Sequence, residues 1–251
     1  MPRLVPFRLA AACALALVSF FSIAAVATAK GPVAELRVVG KKGKVLTEDS
    51  FGTAGQVSVK ASPKATCFGP GTGGSGMKLT LKGSTALGML ARAAQFTAAL
   101  KPLLITDHFF DEFGLGICSV GGTAATSKSS WYLKLNHKAQ SVGGEKVKVR
   151  ADDEVLWGYG GYPYPDELGL TAPADTQANV PFTVTVVAYD EKGKKSPVEG
   201  ATVSGASGPT DAAGHATVTL AAAASLVAKH GKDTPSAAVP VCVDGKCPAA
   251  R

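Results

Sequence analysis

Apolar and polar residues alternate with a period of two along several short stretches of the chain. The first is Glu35-Leu36-Arg37-Val38-Val39, which runs into the turn Gly40-Lys41-Lys42-Gly43; Gln56-Val57-Ser58-Val59-Lys60 is a second strand of the same kind. Between 84 and 100 the period becomes helical. Leu87, Leu90, Ala91, Ala94 and Ala98 make one stripe, Ser84 or Thr85 can cap it, and Pro102 stops it after about Leu100. Alternation resumes at Trp131, Leu133 and Leu135, which share one face while Tyr132 and Lys134 share the other. Val147 and Val149 continue the inward set, with Lys146, Lys148 and Arg150 outward, and Val155 and Trp157 repeat it. One helix on a sheet of four or five strands is an α+β design.

The pattern breaks at Gly160-Gly161-Tyr162-Pro163-Tyr164-Pro165-Asp166-Glu167. Alternating prolines cannot sit inside a sheet ladder and stiffen a connection. Beyond the break the alternation is strand only: 182–186, 201–204 and 215–220, separated by turns at 190–193 and 210–214. Short strands spaced by turns predict a β-sandwich. The expected organisation is thus a mixed domain over 30–160, a Pro-rich linker with the next domain's first strand over 161–176, and a sandwich over 177–251.

The first 29 residues are read as a signal peptide. Arg3 and Arg8 precede an apolar run, and Ala27-Thr28-Ala29 supplies the small residues of a cleavage site before Lys30. Later segments are too short or too polar to span a bilayer, so the expectation is a secreted or surface-associated protein. Removing the leader's two arginines lowers the formal charge from +7 to about +5. That is a mild excess, without the dense basic stripe interleaved with aromatics that nucleic-acid binding needs. Of the five cysteines, Cys13 lies in the leader. Cys242 and Cys247 flank a Gly-containing turn and are expected to pair locally, which leaves Cys67 for Cys118. Without a C-x-x-C spacing, zinc is not expected.

Two turns and one face are the candidate ligand residues. Asn136-His137 sits where the chain must reverse, and Asn tolerates positive φ well. Asp152-Asp153 is a second turn, with too few neighbouring oxygens for calcium. Tyr132, Lys134, Asn136 and His137, together with Lys146, Lys148 and Arg150, form the candidate set. If the four basic residues share a face, they offer a landing strip for an anionic cell-wall glycan, with a surface protein as the other possible partner.

Catalysis finds little footing. His108, His137, His215 and His230 are scattered, and no local motif brings a carboxylate and a nucleophile to any of them. Asp107, Asp111 and Glu112 surround Phe109 and Phe110, and Gly69, Gly71 and Gly74 spell G-x-G-x-x-G, but no βαβ unit encloses those glycines. The reading is a non-enzymatic binding protein with no cofactor and no metal; an extracellular hydrolase is the remote alternative.

Residues 33–160 resemble the transcobalamin-like C-terminal domain family through TALGMLARAA, FFDEFGLGICSVGG, WYLKLNHK and DDEVLWGYG. Residues 168–243 resemble bacterial immunoglobulin-like modules through PFTVTVVAYDEKGKKSPVEGATV and TDAAGHATVTL. The resemblance implies a β-grasp type of fold followed by an Ig-like sandwich. It also implies a small-molecule alternative, because in transcobalamins this domain covers one side of a corrinoid together with a large helical domain. A lone cap would hold such a ligand weakly. Asn136-His137 stands where the family has Asn-Gly, and Asp152-Asp153 where it has Gly-Asp.

Overall fold

A computed structural model describes residues 32–249; the leader and its cleavage site lie outside them. Ten strands and one helix come first in the chain. The strands are β1 (Val33–Val39), β2 (Val45–Gly52), β3 (Gln56–Lys60), β4 (Lys78–Lys82), β5 (Leu104–Thr106), β6 (Gly116–Val120), β7 (Thr123–Ala124), β8 (Ser130–Leu135), β9 (Lys138–Ala139) and β10 (Glu154–Gly160); α1 (Ala86–Phe96) lies between β4 and β5. A five-stranded sheet runs β2-β1-β10-β8-β9, with β1 and β10 parallel and the other pairs antiparallel. Two small sheets, β3-β4 and β5-β6-β7, flank it.

The period-two pattern decides which side of the main sheet faces α1. Val38, Trp157 and Leu133 stand in one cross-strand row, and Leu36, Val155 and Leu135 in the next. Both rows join Leu87, Leu90, Ala91 and Ala94 of the helix in one core. The helix starts where Thr85 Oγ1 accepts a hydrogen bond from Gly88 N at 3.2 Å, an N-cap worth about 1 kcal/mol. Gly88 itself is required by packing, since a Cβ there would sit 2.0 Å from the Lys82 carbonyl oxygen. The helix stops at Phe96, four residues short of the sequence expectation, because the chain leaves helical angles at Thr97. Ala98 therefore falls in a short 3-10 turn and is exposed.

Nine strands follow: β11 (Glu167–Thr171), β12 (Asp175–Thr176), β13 (Phe182–Tyr189), β14 (Lys195–Pro197), β15 (Thr202–Val203), β16 (His215–Val218), β17 (Ala224–Leu226), β18 (Ala228–Lys229) and β19 (Val239–Val243). β13 is central to a four-stranded sheet with β11 on one side and β14 and β16 on the other. A three-stranded sheet, β12-β19-β17, and the pair β15-β18 complete this half. Its core gathers Leu168, Val184, Val186, Val218, Leu226 and Val241, separate from the core under α1.

The α+β-plus-sandwich expectation does not hold. Strands make up 41% of the described residues and helix only 8%. The strands are dispersed over six small sheets among the described residues, with no β-grasp followed by an Ig-like sandwich. The physical reason is the chain's 29 glycines and 15 prolines, which end strands before they can extend into two continuous facing sheets. The segment carrying Val147 and Val149 is a case in point. Both side chains are buried as expected, yet the segment forms only an isolated bridge, Thr85 with Lys148.

Both disulfides join the expected partners. Cys67 pairs with Cys118 across 51 residues and Cys242 with Cys247 across five. No helix among the described residues is long and apolar enough to cross a membrane.

Candidate functional site

The second face of the main sheet carries Arg37, Leu156 and Lys134 in one row and Val39, Gly158 and Tyr132 in the next. All but Gly158 are long or branched side chains, and none is open to solvent: Lys134 is 0% and Tyr132 4% exposed. This face is covered by the C-terminal half. Tyr132 lies across Gly158, where a Cβ would come within 2.2 Å of the ring. It stacks on Tyr164 with centroids 4.6 Å apart and shares a 2.5 Å hydrogen bond between hydroxyls with Thr234. Burial, opposed by that hydrogen bond but helped by the charge of Glu167, pushes the phenol up to about 12.

Two cations anchor the junction. Arg37 forms a buried ion pair with Glu167 at the start of β11 and donates to the Pro235 carbonyl. Lys134 Nζ donates to the Tyr189 carbonyl at 2.9 Å and the Asp190 carbonyl at 3.4 Å. Burial lowers the Lys134 ammonium below the ordinary lysine range, and Glu167 and Asp166 recover part of the loss. Burial would raise the Glu167 carboxyl, but contact with His137 and the charges of Arg37 and Lys134 outweigh it and hold it below the ordinary range.

Asn136 and His137 form a two-residue loop between the paired residues Leu135 and Lys138, with φ of 49° and 67°. Two left-handed residues are what a type I′ hairpin requires. Asn136 locks the turn: its amide nitrogen donates to Asp153 Oδ1 at 2.9 Å and its amide oxygen accepts from Glu154 N at 2.8 Å. Asp153 Oδ2 accepts from Arg150 N at 2.7 Å, so both oxygens of that carboxylate are used in turn-to-turn bonds. His137 projects onto the C-terminal half. Its ring is stacked on Tyr189, with Nδ1 3.3 Å from Glu167 Oε2 and Nε2 3.4 Å from Glu154 Oε2.

The candidate residues therefore separate. Tyr132, Lys134 and His137 converge on the junction between the halves, and Asn136 stiffens the turn that presents His137. Lys146, Lys148 and Arg150 remain exposed on the 140–150 segment and share no face with the buried Lys134.

A groove of about 1010 Å³ opens beside this junction. Phe68, Phe109 and Phe113 form one wall, each edge-on to the next, with Phe109 centroids 5.5 Å from Phe68 and 6.5 Å from Phe113. Trp131 and Trp157 reach it from the core, and Tyr162, Tyr164 and Glu191 close it from the linker and the C-terminal half. Phe68, Phe113 and Tyr162 are 56%, 68% and 81% exposed. Asp107, which precedes these rings in the chain, is tied to Ser75 through both oxygens, at 2.7 and 2.5 Å. Those bonds outweigh its desolvation and keep its carboxyl low.

Sequence reasoning missed Arg37, Glu167 and the phenylalanine wall. The signal for the wall was present in Phe109-Phe110-Asp111-Glu112-Phe113, where aromatics stand among acids in a turn rather than on an alternating stripe. No family model, curated protein or solved structure matches this chain.

Proposed function

We propose that this is an exported, non-enzymatic binding protein acting at or outside the cell surface, and that the aromatic groove receives its ligand. The observation that carries this reading is the set of aromatic side chains, Phe68, Phe113 and Tyr162, left more than half exposed around one concavity. Exposed apolar patches of this kind mark binding surfaces, and aromatic walls with a few polar groups are what small-molecule pockets use. The paired disulfides and the apolar leader support export. Three of the groups that could do chemistry near the groove are held in structural contacts: Glu191 accepts from Tyr164 N at 3.0 Å, Asp107 holds Ser75, and His137 docks on Tyr189.

Aromatic walls favour a ligand with a large apolar or conjugated surface, and a corrinoid is the first small molecule to try. The test is titration with hydroxocobalamin, read by tryptophan emission and melting temperature; both tryptophans line the groove. Quenching with a raised melting temperature supports the small-molecule reading. No response at high excess, together with salt-sensitive retention on acidic cell-wall fractions that is lost in K146E/K148E/R150E, would favour the glycan instead.

A further inference from the structure

A separate groove of about 720 Å³ opens between α1, β3 and β5. The strands β3 and β5 belong to different sheets and approach each other at the parallel bridge Ala61–Ile105, where Ser62 N donates to the Ile105 carbonyl at 2.7 Å. Before that bridge they diverge. Their facing edges carry Val59 on one side and Leu103 and Leu104 on the other, and Ala91 and Ala94 of α1 line the space between. Alanine at those two helix positions leaves depth that a larger residue would fill.

The rim is cationic. Lys60, Lys64 and Lys101 line the groove and no acidic side chain does. Lys60 also stands directly opposite Lys78 in the β3–β4 register, an arrangement that destabilises a strand pair through like-charge repulsion. Among the described residues none of these four lysines enters an ion pair. Lys101 Nζ donates to the Gln95 carbonyl at the helix end, 2.9 Å away. An apolar slot ringed by unneutralised cations is complementary to a hydrocarbon carrying one negative head.

We propose that the α1–β3–β5 groove is a second binding site, specific for single-chain anionic amphiphiles such as fatty carboxylates. The chain lies along Ala91, Ala94 and Leu103, and the head sits among Lys60, Lys64 and Lys101. The volume is within the range of about 300–1,000 Å³ that ligand pockets occupy. The proposal is independent of the aromatic groove.

The test is calorimetric titration of the protein with laurate, decanoate and dodecyltrimethylammonium at monomeric concentrations. Laurate should bind on the order of tenfold more tightly than decanoate, from two buried methylenes, and the cationic amphiphile should bind far more weakly than laurate. K60E/K64E, at exposed positions, should keep the melting temperature and weaken laurate roughly tenfold. Ala94→Trp, which fills the slot, should abolish binding, while F68S/F113S in the other groove should leave it unchanged. Absence of laurate binding, equal binding of the cationic amphiphile, or laurate affinity that survives K60E/K64E would each overturn the proposal. So would loss of binding in F68S/F113S, which would move the ligand to the aromatic groove.

Discussion

The imidazole of His137 lies flat on the ring of Tyr189, centroids 3.8 Å apart and planes 8° from parallel. One residue is the left-handed corner of the β8–β9 hairpin and the other ends β13, so a turn of the N-terminal half is docked on a strand of the C-terminal half. The same turn holds Lys138 and Ala139, which line the aromatic groove, and Ala139 N donates to the Glu191 carbonyl at 2.9 Å. Docking and groove are thus built by one hairpin.

His137→Gly tests what the side chain contributes. Glycine relieves the positive φ and by itself would stabilise the turn by about 1 kcal/mol. Loss of the stack and of the Glu154 and Glu167 contacts is expected to outweigh this, giving a net destabilisation of about 1 kcal/mol in urea denaturation. A more stable variant would show that the contacts contribute nothing.

Arg37→Ala leaves Glu167 buried without its main cation. The expected cost is about 3–5 kcal/mol, among the largest for any single change in the chain. R37M/E167L removes both charges and should recover most of the loss, a pattern that a double-mutant cycle reads directly.

Acid should loosen the junction. The Glu167 carboxyl is held below the 4.5 of an unperturbed glutamate, so its contribution is fully present above pH 4.5 and is lost as pH falls through the lower folded value. Glu167→Gln should flatten the stability profile below pH 4.5. At the alkaline end the Tyr132 phenol, pushed up from 10 to about 12, contributes stability that is present below pH 10 and lost as pH rises towards 12. Tyr132→Phe should remove that limb.

The faces of the main sheet were legible in the sequence because burial on one side leaves a period-two trace, and Trp131, Leu133, Val155 and Trp157 all lie in the core as that trace requires. The second face was misread for the same reason. Arg37, Tyr132 and Lys134 are polar, and polarity on alternate positions signals solvent unless another unit supplies partners. Here the partners come from 55 or more residues further on: Glu167, Tyr189, Asp190, Thr234 and Pro235. No local pattern encodes such a pairing. The disulfides were legible because cysteine count and spacing left few choices. The dispersal of strands into small sheets was not, because it depends on where each glycine and proline falls in three dimensions.

Removing the Cys67–Cys118 bond by C67S/C118S should cost up to about 4 kcal/mol for a loop of this length. Cys67 lines the aromatic groove beside Phe68, so the variant should also lose groove binding before it loses its fold. Thermal melts with and without ligand separate the two effects.

Titration with Nile red, a flat neutral dye, tests most directly whether the aromatic groove binds a ligand. Trp131 and Trp157 are the protein's two tryptophans and both border the groove, so bound dye should quench their emission as its own rises. F68S/F113S/Y162S, changed at exposed positions, should keep the melting temperature and bind at least about tenfold more weakly. Equal dye affinity in the variant and the parent, or dye binding with no change in tryptophan emission, would contradict the account.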